Sequence, residues 1–464
     1  MFIGERAHKT VQSHAGVRLI RSAASKLRVH RLIAKSRDPD SLNVLRQQNA
    51  QAAIHTLPNE IISDILVFTI AVGQKDEKSF QRGVLSQKNR FACMRVCTMW
   101  RDLIITTPQA WAILPHINGF TSPRWTRLCL ERSKNVDLDI ALSDPGDHDR
   151  AQRNLQRTLD MIIPRLDQCG TLSILFRTRP LASFFPLPKP MSRLRSLGLI
   201  CPQFTLPHGV SLVDETSQCV LRVLVIWALH LPTSLFEHLN TRFITDLHLT
   251  SITGIPHHVL DIINNSPSIQ KLFLGEERCT SEFAPEPVAV AVHTPHLVTL
   301  CFSGCTLLQH LKAWTAPQLL ELTLSARSRP FCFGPEDAFH FPVLQALSVG
   351  SVDANDENLH ILYKILHSHP SLTNLHIPCD AGLYNVVFRP LLISPLMPNL
   401  RTLYVVARSH GYTDALIYLR HLLDRRPDIR VTLVNGGKIP KQFWPGHAAA
   451  NLESDFPARV SIKA

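Results

Sequence analysis

Ile244-Thr245-Asp246-Leu247-His248-Leu249 and, 25 residues on, Ile269-Gln270-Lys271-Leu272-Phe273-Leu274 share one frame, apolar at the first, fourth and sixth positions. Upstream the frame reads Leu194-x-x-Leu197-x-Leu199 and Leu221-x-x-Leu224-x-Ile226. Downstream it continues as Leu297-x-x-Leu300-x-Phe302, Leu319-x-x-Leu322-x-Leu324 and Leu344-x-x-Leu347-x-Val349. Leu372-x-x-Leu375-x-Ile377 and Leu400-x-x-Leu403-x-Val405 complete nine units, whose starts lie 27, 23, 25, 28, 22, 25, 28 and 28 residues apart. Six units have a proline two residues before the first apolar position: Pro267, Pro295, Pro317, Pro342, Pro370 and Pro398. Such a proline ends a preceding helix and pushes the residue before it into extended geometry, which predicts a strand start. In a strand, side chains alternate, so the fourth and sixth positions share one face and the fifth points the other way. A single unit cannot bury its apolar face, whereas stacked units form one continuous core.

Repeats of this frame with periods in the twenties are those of leucine-rich arrays. Nine strands ~4.8 Å apart would line a wall about 40 Å long. The Asn or Cys expected at the inner turn is mostly missing, and Leu297 to Leu307, with Cys305 in place, fits the fuller pattern. An irregular solenoid follows, with parallel strands inside and helices or loops outside, helices being predicted near 358–368 and 414–424. The fifth positions would form one ligand-facing column: Gly198, Val225, His248, Phe273, Cys301, Thr323, Ser348, His376 and Tyr404. Aromatic and imidazole side chains there, Phe273, Tyr404, His248 and His376, with Trp227 two residues past Val225, are the candidate target-binding residues, since aromatics are frequent binding anchors.

The second signal lies near the N-terminus. Leu57-Pro58-Asn59-Glu60 opens a pattern of Ile61, Ile62, Ile65 and Leu66 on one side of a 3.6-period helix. Pro58 suits the first helical position and Glu60 complements the positive helix end. A polar stretch, Gly73 to Asn89, then reads as a long loop. A second helix is expected to carry Cys93, Val96, Cys97, Trp100, Leu103 and Ile104 on one face and to end before Pro108, with Trp111 just beyond.

Leu57 to Phe68 resembles the first half of an F-box, and Phe91 to Trp111, with Val96-Cys97-x-x-Trp100-Arg101-Asp102-Leu103, its second half. Thr107-Pro108-Gln109-Ala110-Trp111 resembles the end of F-boxes in mushroom-type fungal proteins. Leu130-Glu131-Arg132-Ser133 and Val136-Asp137-Leu138-Asp139-Ile140 resemble the segment after it, and the array is similar to that family's leucine-rich half. The loop Thr69–Asn89 is longer than in a minimal F-box, and Gly73, Lys75 and Asp76 match no family position. The resemblance implies a non-catalytic substrate receptor of an SCF-type ubiquitin ligase. Its F-box would dock on a Skp-type adaptor, which carries cullin and RING subunits, and its array would hold an unidentified target protein. Leu57, Pro58, Ile61, Ile65 and Leu66 match the first-helix adaptor positions, and Val96, Cys97, Trp100 and Leu103 those of the second helix. An exposed apolar strip on two short helices wants a partner. The alternatives are that the strip packs onto the first repeats, and that the chain is a leucine-rich scaffold outside any ligase.

The remaining features bound these readings. The 464 residues are 45% apolar and 19% charged, ample for a large core. No apolar run approaches the ~18–20 residues that span a bilayer. Eleven scattered cysteines, an odd number, fit a reducing compartment, cytoplasmic or nuclear, better than a secreted disulfide scaffold. Net charge is +12, of which residues 1–50 supply +7, so the body is not the basic surface that nucleic acid requires. Residues 1–37 read either as a solvated basic arm or as a mitochondrial transit segment. No nucleophile elbow, H-E-x-x-H helix or P-loop occurs; Asn435-Gly436-Gly437-Lys438 lacks the Ser/Thr and the preceding Gly of a phosphate loop and reads as a hairpin or loop exit after a strand Ile429–Val434. The close cysteine pairs Cys93/Cys97 and Cys301/Cys305, and His257-His258, His293-x-x-His296 and His367-x-His369, lack zinc spacing, so neither metal nor cofactor is expected. The resulting map is a leader (1–50), an F-box (51–115), a linking segment with the start of the solenoid (116–189), the repeats (190–435) and a tail (436–464).

Overall fold

A computed structural model of the chain describes residues 47, 53–71, 79–146, 148–175, 191–205, 219–231, 236, 240–251, 258–276, 290–303, 311–325, 339–350, 364–379, 397–407, 412–435 and 446–463. The leader 1–37, Gly73, Lys75, Asp76, Cys305, His257, residues 358–363 and the glycines of 435–438 lie outside the described residues. Two compact units emerge: Met1–Pro115 with Trp125–Val136, and His116–Arg124 with Asp137–Ala464.

The first unit is helical. Its elements are α1 (Asn59–Ala71), α2 (Ser79–Met94), α3 (Thr98–Thr106), the single turn α4 (Gln109–Ala112) and α5 (Pro123–Ser133). The Pro58 carbonyl accepts the first intrahelical bond, from Ile62 N–H at 3.1 Å, so Pro58 caps α1 from outside its first turn. Ile62, Leu66 and Ile70 form the buried face of α1.

The expected long loop and single second helix need correction. Most of the polar stretch is α2, and the apolar pattern from Cys93 to Ile104 spans a break between two helices. At the break Cys97 is extended (φ −158°, ψ 171°), and its thiol accepts the Trp100 N–H at 3.4 Å, capping α3. Arg101 donates back to the Met94 carbonyl at 3.2 Å, satisfying the end of α2. What holds α2 in place is Arg90, fully buried despite its charge. Its guanidinium donates to the carbonyls of Ala110 (2.8 Å) and Ile113 (2.9 Å) and lies 5.0 Å from the ring centre of buried Trp111. Arg132 lies 4.4 Å from the same ring, and Phe91 stacks on Trp125 at 4.9 Å.

The second unit is α/β, and its strands are all parallel. They are β1 (Leu138–Ser143), β2 (Cys169–Leu175), β3 (Ser196–Thr205), β4 (Val223–His230), β5 (Asp246–Ser251), β6 (Lys271–Glu276), β7 (Val290–His293) and β8 (Thr299–Ser303). There follow β9 (Leu311–Thr315), β10 (Glu321–Ser325), β11 (Phe339–His340), β12 (Ala346–Val349), β13 (Asn374–Cys379), β14 (Thr402–Ala407), β15 (Arg430–Asn435) and β16 (Val460–Lys463). Among the described residues, thirteen pair in one sheet of order β1-β2-β3-β4-β5-β6-β8-β10-β12-β13-β14-β15-β16. In all nine units of the frame, each of the three apolar positions is at most 3% exposed.

The connections supply a second layer. Helices α6 (Asp149–Ile162), α7 (His258–Asn264), α8 (Tyr412–Arg425) and α9 (Gly446–Asp455) occupy four of them. Between β6 and β12 the connections instead carry a second parallel sheet, β11-β9-β7, where only helices or loops were expected. Phe302 of β8 meets Trp314 of β9 edge-on at 5.6 Å, so the core there lies between two sheets. Trp314 donates its indole N–H to Thr294 at 3.0 Å, leaving no polar orphan in that layer's aromatic centre.

The sheet is also wider than the nine units. β1 and β2 precede residue 190, and β15 and β16, with α9, extend it past the ninth unit, to Lys463. The segment 116–189 therefore supplies two strands of the sheet, while its residues Trp125–Val136 belong to the first unit, and the tail supplies β16. β2 repeats the frame with cysteine in first place, Cys169-x-x-Leu172-x-Ile174, and all three are fully buried. In β1 and β15 the frame is a residue shorter, Leu138-x-Ile140-x-Leu142 and Ile429-x-Val431-x-Leu433.

The prolines act differently from the expectation. Leu297, Leu319, Leu344, Leu372 and Leu400 each donate N–H to the carbonyl three residues back, at Thr294, Ala316, Phe341, His369 and Met397. Each proline is thus the second residue of a hydrogen-bonded turn that delivers the chain to its strand, the position that its fixed φ prefers. Met397 sits at φ +54°, so the residue before Pro398 is not extended.

Candidate functional site

Two surfaces hold the candidate residues. On α1, a helix that buries Ile62, Leu66 and Ile70 must turn the positions between them outward. Leu57, Ile61, Ile65 and Phe68 are 38%, 46%, 37% and 61% exposed and follow one another at spacings of four, four and three. They form an apolar strip opposite the buried face, and exposed Pro58 stands at its head. Leu66 departs from the expectation: at 2% exposure it belongs to the helical core, because it lies on the turn that faces α2 and α3. Phe68 is the strip's most exposed member and was not among the candidates, although its spacing from Ile65 points to it.

Val96, Cys97, Trp100 and Leu103 are half-buried. Cys97 is a helix cap, and the Trp100 indole nitrogen is buried without an acceptor among the described residues. Behind them the unit is closed by Trp111, whose indole N–H donates to the Ile104 carbonyl. Burial lowers the Arg90 pKa from its usual value and raises the Cys129 thiol beside it to about 11, so Cys129 is a neutral neighbour.

The second surface is the face of the large sheet opposite its core. Strand register aligns the predicted column residue by residue: Gly198, Val225, His248, Phe273, Cys301, Thr323, Ser348, His376, Tyr404. Ser173 extends it at one end, Thr432 and Ser461 at the other. The candidates gather in two places. His248 stacks on Phe273 at 5.7 Å, with Trp227 on the adjacent strand, its indole nitrogen buried and without an acceptor among the described residues. Further along, the Ser348 hydroxyl and His376 Nδ1 are 2.8 Å apart, and His376 meets Tyr404 edge-on at 6.1 Å. Cys301 and Thr323, between the two groups, are buried, so the column is not evenly open.

Charges border the first group. Asp246 and Lys271, opposite one another in register, pair at 3.6 Å. Burial lowers the His248 pKa, Lys271 lowers it further and Asp246 opposes, so the ring is held neutral. Gly275 keeps the Phe273 ring in place, because a Cβ there would lie 2.9 Å from the Phe273 Cε1 atom and 3.2 Å from the Thr250 hydroxyl. Such a face offers aromatic, imidazole and hydroxyl groups to a ligand.

Among the described residues no three His, Cys, Asp or Glu side chains gather as metal ligands, and no helix is long and apolar enough to cross a membrane. Of the cysteines whose side chains are described, Cys93, Cys97, Cys129, Cys169, Cys201, Cys219 and Cys301 are free thiols. No protein-family model and no curated protein matches the chain.

Proposed function

We propose that the chain is the substrate-recognition subunit of an SCF-type ubiquitin ligase, an F-box helical unit followed by a leucine-rich array. The F-box strip docks on a Skp-type adaptor, and through it on cullin and RING subunits, while the face of the large sheet holds the target protein. The chain itself is non-catalytic in this reading, works in the cytoplasm or nucleus and needs no cofactor. The observation that carries it is the exposed Leu57, Ile61, Ile65 and Phe68 strip, on a helix opened by Leu-Pro, in the same chain as a stacked parallel sheet. Three exposed apolar side chains in line on one short helix, with Leu57 leading into it, are what a docking helix presents.

The test is co-purification of the full chain with a fungal Skp-type adaptor, beside an Ile61→Ala/Ile65→Ala variant. The expected result is a stoichiometric complex lost in the variant while its melting temperature stays put, since both side chains already face water. A complex that survives the substitution, or a wild-type chain that forms none, rejects the reading. For the target side, Phe273→Ala and Tyr404→Ala are expected to leave adaptor binding intact and to abolish target capture.

A further inference from the structure

The apolar strip of α1 is not flanked symmetrically. Glu60 and Asp64 precede Ile61 and Ile65 by one position each, so at 3.6 residues per turn they run beside the strip along one flank. Both carboxylates are exposed, and neither makes an ion pair or side-chain hydrogen bond among the described residues. They stand four residues apart, a like-charged spacing that disfavours a helix until a cation arrives. Between them and the turn after α3 runs a groove of about 330 Å³. Val67, Ser63, Thr107 and Gln109 also line it. The Thr107 hydroxyl donates to the Ser63 hydroxyl at 3.4 Å, a long bond that leaves both oxygens able to accept.

We propose that this groove seats a lysine or arginine side chain of the protein that covers the apolar strip. Its aliphatic stem would run over Val67, and its charged head would lie between the Glu60 and Asp64 carboxylates, with the Ser63 and Thr107 oxygens and the Gln109 amide oxygen as further acceptors. Long cationic side chains bury their stems along apolar surface and keep the head among charges or water, which is the division this groove offers. The partner surface is therefore an apolar groove bordered by one basic residue. This inference rests on the docking role proposed above and adds the polar half of the contact. The cation fixes the direction in which the partner lies along α1, because strip and carboxylates match it in one orientation only.

The test uses the full chain and the Skp-type adaptor, with affinity measured across salt concentration. In Glu60→Gln/Asp64→Asn both side chains keep their size and the strip is untouched. The expected result at low salt is a loss of roughly fivefold to tenfold in affinity, as for two partly exposed charges. The difference should vanish at about 1 M salt, where the Debye length is near 3 Å. Glu60→Lys/Asp64→Lys is expected to abolish the complex at low salt. A carboxamide variant that binds like wild type, with the same salt dependence, overturns the inference while the docking role stands, provided that Ile61→Ala/Ile65→Ala still loses the complex. A wild-type chain that binds no adaptor overturns both. Circular dichroism of each variant confirms that α1 is folded.

Discussion

Arg90 stands where an apolar side chain would be expected, and it organises the helical unit for a physical reason. A buried guanidinium costs several kcal/mol in desolvation unless every donor is used. Here each of its three nitrogens has an acceptor: Nε and Nη2 donate to the Ala110 and Ile113 carbonyls and Nη1 to the neutral Cys129 sulfur at 3.8 Å, with the Trp111 face alongside. Arg90→Met would leave the Ala110 and Ile113 carbonyls without their donors, and an unfolding free energy lower by about 2–4 kcal/mol is expected in urea titration. Arg90→Lys should recover only part, since an ammonium cannot span both carbonyls in one plane. His248 gives a residue-scale dependence on pH. Its folded pKa lies below the ordinary 6.5, so its contribution is fully present above about pH 6.5. As pH falls, the unfolded chain takes up a proton that the folded site refuses, and stability declines. Urea midpoints at about pH 7.5 and 5 should therefore converge more closely in His248→Phe than in wild type.

At the scale of elements, connections and caps decide what the strands cannot. The turns before β8, β10, β12, β13 and β14 each place proline second, where it restricts the unfolded chain without straining the folded one. Pro342→Ala is expected to cost about 0.4–1 kcal/mol by urea titration, with no change in the sheet's circular dichroism. A far larger effect would mean that the ring packs as a core residue. Helix α8 ends against the chain's own later segment: Arg459 donates to the Leu423 and Arg426 carbonyls at 2.9 and 3.1 Å, and Arg420 pairs with Asp455 of α9. These caps satisfy carbonyls that a helix end otherwise leaves to water. Arg459→Ala is thus expected to loosen α8 and β16 together, read as faster amide exchange in both elements and unchanged exchange in β4 and β5.

For the whole molecule, stability of a stacked sheet is a sum over neighbouring strands. Leu300 of β8 is fully buried with partners on both sides, and Leu300→Ala should cost about 2–5 kcal/mol. Val460 of β16, at the sheet edge, touches one neighbouring strand, and Val460→Ala should cost markedly less. Hydrogen exchange strand by strand is the measurement, because a long array need not unfold in one step. The nine-unit array was legible in the amino-acid sequence, because Leu, Ile, Val and Phe at fixed spacing can be buried together only on one face of a strand. The column of fifth positions followed from the same alternation, whereas on α1 the period grouped Ile61 and Ile65 with Ile62 and Leu66, and packing decided that the second pair faces inward. Strands β1, β2 and β16 were not legible, since cysteine at 169 and a shortened frame depart from the pattern while the neighbouring strand supplies the hydrogen bonds regardless; β15 was legible, as the strand expected over Ile429–Val434. Helix α2 was hidden by its polar composition. Nothing local to Arg90 says that Ala110, Ile113 and Trp111 will surround it, and its burial is decided by residues distant in the chain. Periodic burial is a local property and can be read from order alone; satisfaction of a buried charge, the caps on helix ends and the openness of a surface depend on which distant atoms arrive.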